Sequence, residues 1–94
     1  MAYNVKEIEE KLTLTCKAWS YIFPSIERKC LTQNFDESIR IANEIAKVSN
    51  QLNHHPELIF KHNILIIKTH THSASGITDK DFELAEQIDQ LLST

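Results

Sequence analysis

An α+β fold follows from three features of this 94-residue chain. Apolar residues recur at helical spacing in three stretches. Between these lie two pairs of β-branched and aromatic runs, and the short break within each pair makes a hairpin the natural connection. The predicted order is helix, two strands, helix, two strands, helix, packed as one α+β layer pair. No repeat, linker or low-complexity stretch interrupts it, so residues 1–94 read as a single domain.

The first helix is expected over residues 4–14, where Val5, Ile8 and Leu12 share a face and Lys6, Glu7, Glu9, Glu10 and Lys11 fill the other. Residues 18–23 are aromatic and β-branched, Pro24-Ser25 breaks them, and residues 26–32 supply the second strand of a hairpin. The long helix is expected over residues 34–53. Asn34 is its N-cap, with Glu37 completing a capping-box-like pair. Ile41, Ile45, Val48 and Leu52 form its apolar stripe, widened by Ile39, Ala42 and Ala46. Arg40 and Glu44 stand four apart on the outer side as a surface pair.

Residues 58–60 and 64–69 read as the second strand pair, with Lys61-His62-Asn63 as a turn or its flank. Ile64 and Ile66 point one way and Leu65 and Ile67 the other, so both faces of that strand should be covered, one by helices and one by a second subunit. His70 and His72 extend this strand on one face, with His70 and His62 read as solvent-facing or edge positions. Gly76 is the only glycine, which suggests either an unusual backbone angle or a close approach. The last helix is expected over residues 79–91, capped by Thr78 with Asp81 at its third position, Ile77 stapled to Phe82, and Phe82, Ala85, Ile88 and Leu92 turned to the core.

A chain of this length buries only about 60–65% of its unfolded surface, so association with partners would stabilise it. Hydrophobic residues make up 41% and charged residues 24%, ordinary for a soluble globular protein, and a net charge of −3 without a basic run argues against a nucleic-acid surface. No run has transmembrane length and no signal-like segment opens the chain. Cys16 and Cys30 are isolated, which favours reduced thiols and a cytoplasmic location.

Chemistry concentrates in Asn53-His54-His55-Pro56-Glu57 at the end of the long helix. Two imidazoles titrating near neutrality suit acid–base work, although histidine and proline also end helices for structural reasons. A metal site is disfavoured, because adjacent histidines diverge and no Cys-x-x-Cys or His-Glu-x-x-His spacing occurs. Nucleophilic catalysis lacks a Gly-x-Ser-x-Gly elbow or a cysteine beside a histidine.

His54-His55-Pro56-Glu57, then Thr71-His72, Gly76-Ile77-Thr78 and Asp81, with Trp19 and the Phe35-bearing helix start also in place, resemble the pterin-4a-carbinolamine dehydratase family over nearly the whole chain. The resemblance implies a four-stranded antiparallel sheet with helices on one face, and dimers or dimers of dimers. It implies dehydration of a 4a-hydroxytetrahydropterin to the quinonoid dihydropterin, recycling the cofactor of aromatic amino-acid hydroxylases, with no metal or organic cofactor. His54, His55 and His72 would surround the pterin as catalytic residues, with Pro56, Glu57 and Asp81 contributing to its binding. His55 and His72 would do the acid–base work and His54 would orient, while Asp81 would both cap its helix and stand beside His72. Asn50, Leu58 and His62 depart from the family pattern. The alternative is a non-catalytic binding module of the same fold, a dimerisation cofactor for a transcription factor or an assembly factor.

Overall fold

A computed structural model describes residues 1–93 of the chain. Helix α1 spans Val5–Thr15, strands β1 and β2 span Ser20–Ile22 and Ser25–Leu31, and helix α2 spans Phe35–Leu52. Strands β3 and β4 span Glu57–Lys61 and Ile64–Thr69, a short 3-10 turn covers His72–Ala74, and helix α3 spans Asp79–Leu92. All strand pairs are antiparallel, in the order β1-β2-β4-β3. The helix, hairpin, helix, hairpin, helix order is the one the periodicity predicts.

Local chemistry sets the helix starts. Asn4 and Thr78 each complete a capping box, with Glu7 and Asp81 respectively answering at the third position. Asn34 accepts from the Glu37 amide, but the Glu37 carboxylate reaches Gln33 N–H rather than Asn34, so this cap is not a closed box. The expected Arg40–Glu44 pair gives way to Lys47–Glu44 at 3.0 Å. Strand β1 is three residues long, shorter than its aromatic run suggests, since only Ser20, Tyr21 and Ile22 find partners on β2.

The pleat sorts the sheet into two faces. Ile26 on β2 and Leu65 and Ile67 on β4, all fully buried, meet Ile8, Leu12, Ile41, Ile45, Phe82, Leu84, Ala85 and Ile88 from the three helices. At about 25 cal/mol per Å² this apolar burial is the main force holding helices to sheet. Val5, on the predicted apolar face of α1, is exposed, as are Ile39 and Ala46, which widen the α2 stripe. On the opposite face Ile22 and Leu31 are largely exposed, while Ile66 is nearly buried, flanked in register by Lys29 and Ile59. Phe35 and Phe60 pack together at 5.9 Å beside the edge strand, both partly exposed.

The loop after β4 is held from two sides. Thr71 and Gly76 form a backbone bridge, and Tyr3 N–H donates to Ile77 O at 2.8 Å. A Cβ on Gly76 would lie 3.1 Å from the Ala2 Cβ, so close approach is what this glycine allows; the left-handed angle belongs to its neighbour Ser75, with φ 52°. No helix among the described residues is long and apolar enough to cross a membrane.

Candidate active site

Helix α2 ends on Asn53, whose left-handed backbone (φ 52°, ψ 42°) is a conformation asparagine tolerates better than most residues. His54 N–H returns to Ser49 O at 3.0 Å, closing the helix in the manner of a Schellman turn. The reversal sends two adjacent imidazoles in different directions. His54 Nε2 lies 2.7 Å from Asp81 Oδ1 on the helix side of the sheet, whereas His55 Nε2 lies 2.9 Å from Asn50 Oδ1. A carbonyl oxygen only accepts, so His55 donates through Nε2 and its neutral ring carries a bare Nδ1.

Asp81 is fully buried, and four donors meet its two oxygens. His54 and the Thr69 hydroxyl (2.7 Å) reach Oδ1, while the Thr71 hydroxyl (2.8 Å) and Thr78 N–H (2.9 Å) reach Oδ2. Thr71 spends its only hydrogen on Asp81, so in its 2.8 Å contact with Thr78 the Thr78 hydroxyl donates. Asp81 therefore ties α3, the strand end and the α2 terminus together. The expectation that it stands beside His72 is corrected: its imidazole partner is His54, and the capping role holds as read.

Alternation explains the division. Thr69 and Thr71 point toward the helices and Asp81, so Lys68 and His70 point to the other face. There Ser25, His55, Pro56, Glu57, Lys68, His70 and His72 line a cavity of about 320 Å³. That is at the small end of the range for ligand sites, about 300–1,000 Å³. Larger grooves of about 430 and 550 Å³ lie beside Trp19 and beside Arg40, but neither contains a histidine. Glu57 and Lys68 are register partners on β3 and β4, and Lys68 Nζ lies 3.7 Å from Glu27.

Of the six residues singled out from the sequence, His55, Pro56, Glu57 and His72 share this cavity, whereas His54 and Asp81 pair outside its lining. His70 is not a free surface residue: its Nε2 lies 3.3 Å from His72 Nδ1, and its Nδ1 lies 3.3 Å from the Ser25 hydroxyl. The His-x-His spacing at a strand end was the available signal for this pair. Ser25 and Lys68 had no comparable signal, since each reaches the site through pairing register, and Asn50 stood out only as a departure from the family pattern. Among the described residues no three His, Cys, Asp or Glu side chains converge as metal ligands.

A family model described as pterin 4 alpha carbinolamine dehydratase matches residues 1–91. The chain belongs to that family. A Sulfurisphaera tokodaii relative provisionally named pterin-4-alpha-carbinolamine dehydratase is 40% identical over 88 residues, covering 94% of each chain. An Aquifex aeolicus relative with the same provisional name is 32% identical over 93 residues, covering 98% of this chain and 94% of its own. The fold is shared with a crystal structure titled transcriptional coactivator/pterin dehydratase from Brucella melitensis, at TM-score 0.87 and 22% identity, covering 97% of this chain and 98% of that one. Family membership accounts for the α+β architecture.

Proposed function

We propose that this chain is a lyase that dehydrates a 4a-hydroxytetrahydropterin to the quinonoid dihydropterin. The observation that carries this reading is the meeting of His55 and His72 on one cavity, joined by Glu57 and Lys68. Dehydration needs a proton given to the departing 4a-hydroxyl and another taken from N5. The C4a–O bond breaks with its electrons on oxygen, and the N5 lone pair closes the C4a=N5 bond. His55 suits the base role, because its Nε2–H is committed to Asn50 and its Nδ1 is bare. His72 suits the acid role through Nε2, since its Nδ1 is engaged by His70. Each such transfer typically contributes about 10²–10⁴-fold. His54 serves as an orienting residue: locked to Asp81, it fixes the backbone from which His55 projects. Pro56 stiffens the exit, and Glu57 with Lys68 offers polar contacts to the ring edge.

Stopped-flow dehydration of a synthetic 4a-hydroxypterin tests this. His55→Ala and His72→Ala should each lower kcat/KM by at least about 10², with both proteins folded, since both rings are exposed. Turnover at the parent rate in both variants refutes the assignment.

Self-association belongs to the same reading. Phe35, Ile39 and Phe60 present an apolar strip beside edge strand β3, of the kind a dimer or dimer of dimers would cover. The free thiols Cys16 and Cys30 support a reducing, cytoplasmic setting.

A further inference from the structure

The acid–base scheme leaves His70 without a task, although it lines the cavity and touches His72. The two rings lie with centroids 4.2 Å apart at 64°, and Ser25, itself buried, closes the far side of His70. We propose that His70, backed by Ser25, is a positioning residue that fixes the proton on His72 and resupplies it, making the two imidazoles one proton-holding unit; this rests on the dehydratase reading of the cavity.

The nitrogen count dictates how the unit works. His70 Nε2 and His72 Nδ1 face each other at 3.3 Å, so one proton lies between them. Two N–H groups there would collide, and two bare nitrogens would lose the bond. The outer nitrogens are His70 Nδ1, against the Ser25 hydroxyl, and His72 Nε2, which makes no hydrogen bond among the described residues. In the singly charged pair, His70 Nδ1–H donates to Ser25, His70 Nε2–H donates to His72, and His72 Nε2–H is offered to the substrate hydroxyl. When that proton leaves with the departing water, the shared proton shifts from His70 Nε2 to His72 Nδ1. Both rings end neutral: His70 keeps Nδ1–H and accepts from His72 through Nε2, and His72 Nε2 is bare. Three protons become two, and the third is in the released water. His55 holds the proton from N5, so the total balances and solvent exchange restores the start.

Two consequences separate this from simple packing. His72 has one defined tautomer rather than two, so its acid proton is already on the ring nitrogen that faces the substrate. The positive charge is also shared between two rings, which eases its placement near Lys68; Glu57 and Glu27 favour that charge, and His55 opposes it once protonated.

The test combines nitrogen-15 NMR of the imidazoles in the free protein with pH–rate profiles for the parent, His70→Ala and His70→Gln. In the parent, His70 and His72 should titrate as a coupled pair in two steps, and in either variant His72 should titrate in one. His70→Ala should lower kcat about 10-fold with KM changed less than about threefold, and should move the pH profile. His70→Gln can donate to His72 Nδ1 and keep the tautomer but cannot pass a proton, so it should recover part of kcat without recovering the parent profile. Circular dichroism melting checks that each variant is folded. An active parent in which His72 titrates singly, with His70→Ala unchanged in kcat and pH profile, overturns the relay alone. A parent with coupled titration but no turnover overturns the dehydratase reading, and with it the catalytic use of the pair.

Discussion

Replacing Asp81 by asparagine changes one atom in a fully buried site, and the hydrogen-bond geometry dictates the response. Thr78 N–H can only donate, so the retained carbonyl oxygen must take the Oδ2 position, accepting from Thr78 and Thr71. The new NH2 then occupies the Oδ1 position, facing Thr69 and His54. The Thr69 hydroxyl can rotate to accept. His54 can accept only by moving its proton from Nε2 to Nδ1. All four contacts survive, but as neutral bonds worth about 0.5–1.5 kcal/mol each in place of charge-assisted ones worth about 1.5–3. Allowing for the lower desolvation of a neutral amide, a net loss of about 2–3 kcal/mol is expected. In a chain of this length that lowers Tm by about 10–20 °C. A capping-box role by itself would cost only about 1 kcal/mol. Calorimetry gives the first number, and nitrogen-15 shifts of His54 give the tautomer. A Tm within about 3 °C of the parent, with His54 still protonated on Nε2, refutes this account of Asp81.

Burial pushes the Cys16 and Cys30 thiols upward, and the hydrogen bond to Asp79 does the same for the Tyr3 phenol. A group with a raised folded pKa stabilises the fold while protonated; that contribution is whole below the unfolded thiol value of about 8.5 and fades as pH rises through the folded one. The urea midpoint should therefore fall above about pH 8.5, and Cys16→Ala, though less stable at neutrality, should lose less over that range; an alkaline slope equal to the parent's refutes the assignment. Light scattering should find dimers or larger assemblies at micromolar concentration, and a stable folded monomer would sink the self-association reading.

The parts of the fold legible in the sequence are those fixed by neighbours a few residues apart. Asn4, Asn34 and Thr78 start helices through bonds two or three residues away, and the stripes of α2 and α3 repeat within one turn. The site divides along the same line. That His54 and His55 leave α2 together is local; that one turns to Asp81, 27 residues on, while the other faces His72 depends on the left-handed step at Asn53 and on strand register. Alternation put His70 and His72 on one face, but it takes Ser25, 45 residues from His70, together with His55, Pro56 and Glu57, to make that face a lined cavity instead of open surface. The Glu44 that helical spacing offers to Arg40 is reached by Lys47 instead.

The contact between Ala2 and Gly76, with Tyr3 bonded to Ile77, lays the start of the chain across the loop that carries His72. What is done at residues 2 and 3 is thus done to the loop that carries His72. A tag or cloning scar fused there would press on a position where an added Cβ would already lie 3.1 Å from Ala2 Cβ, so assays of turnover belong on protein tagged elsewhere. A side chain larger than alanine at residue 2 would likewise crowd a glycine more than seventy positions away.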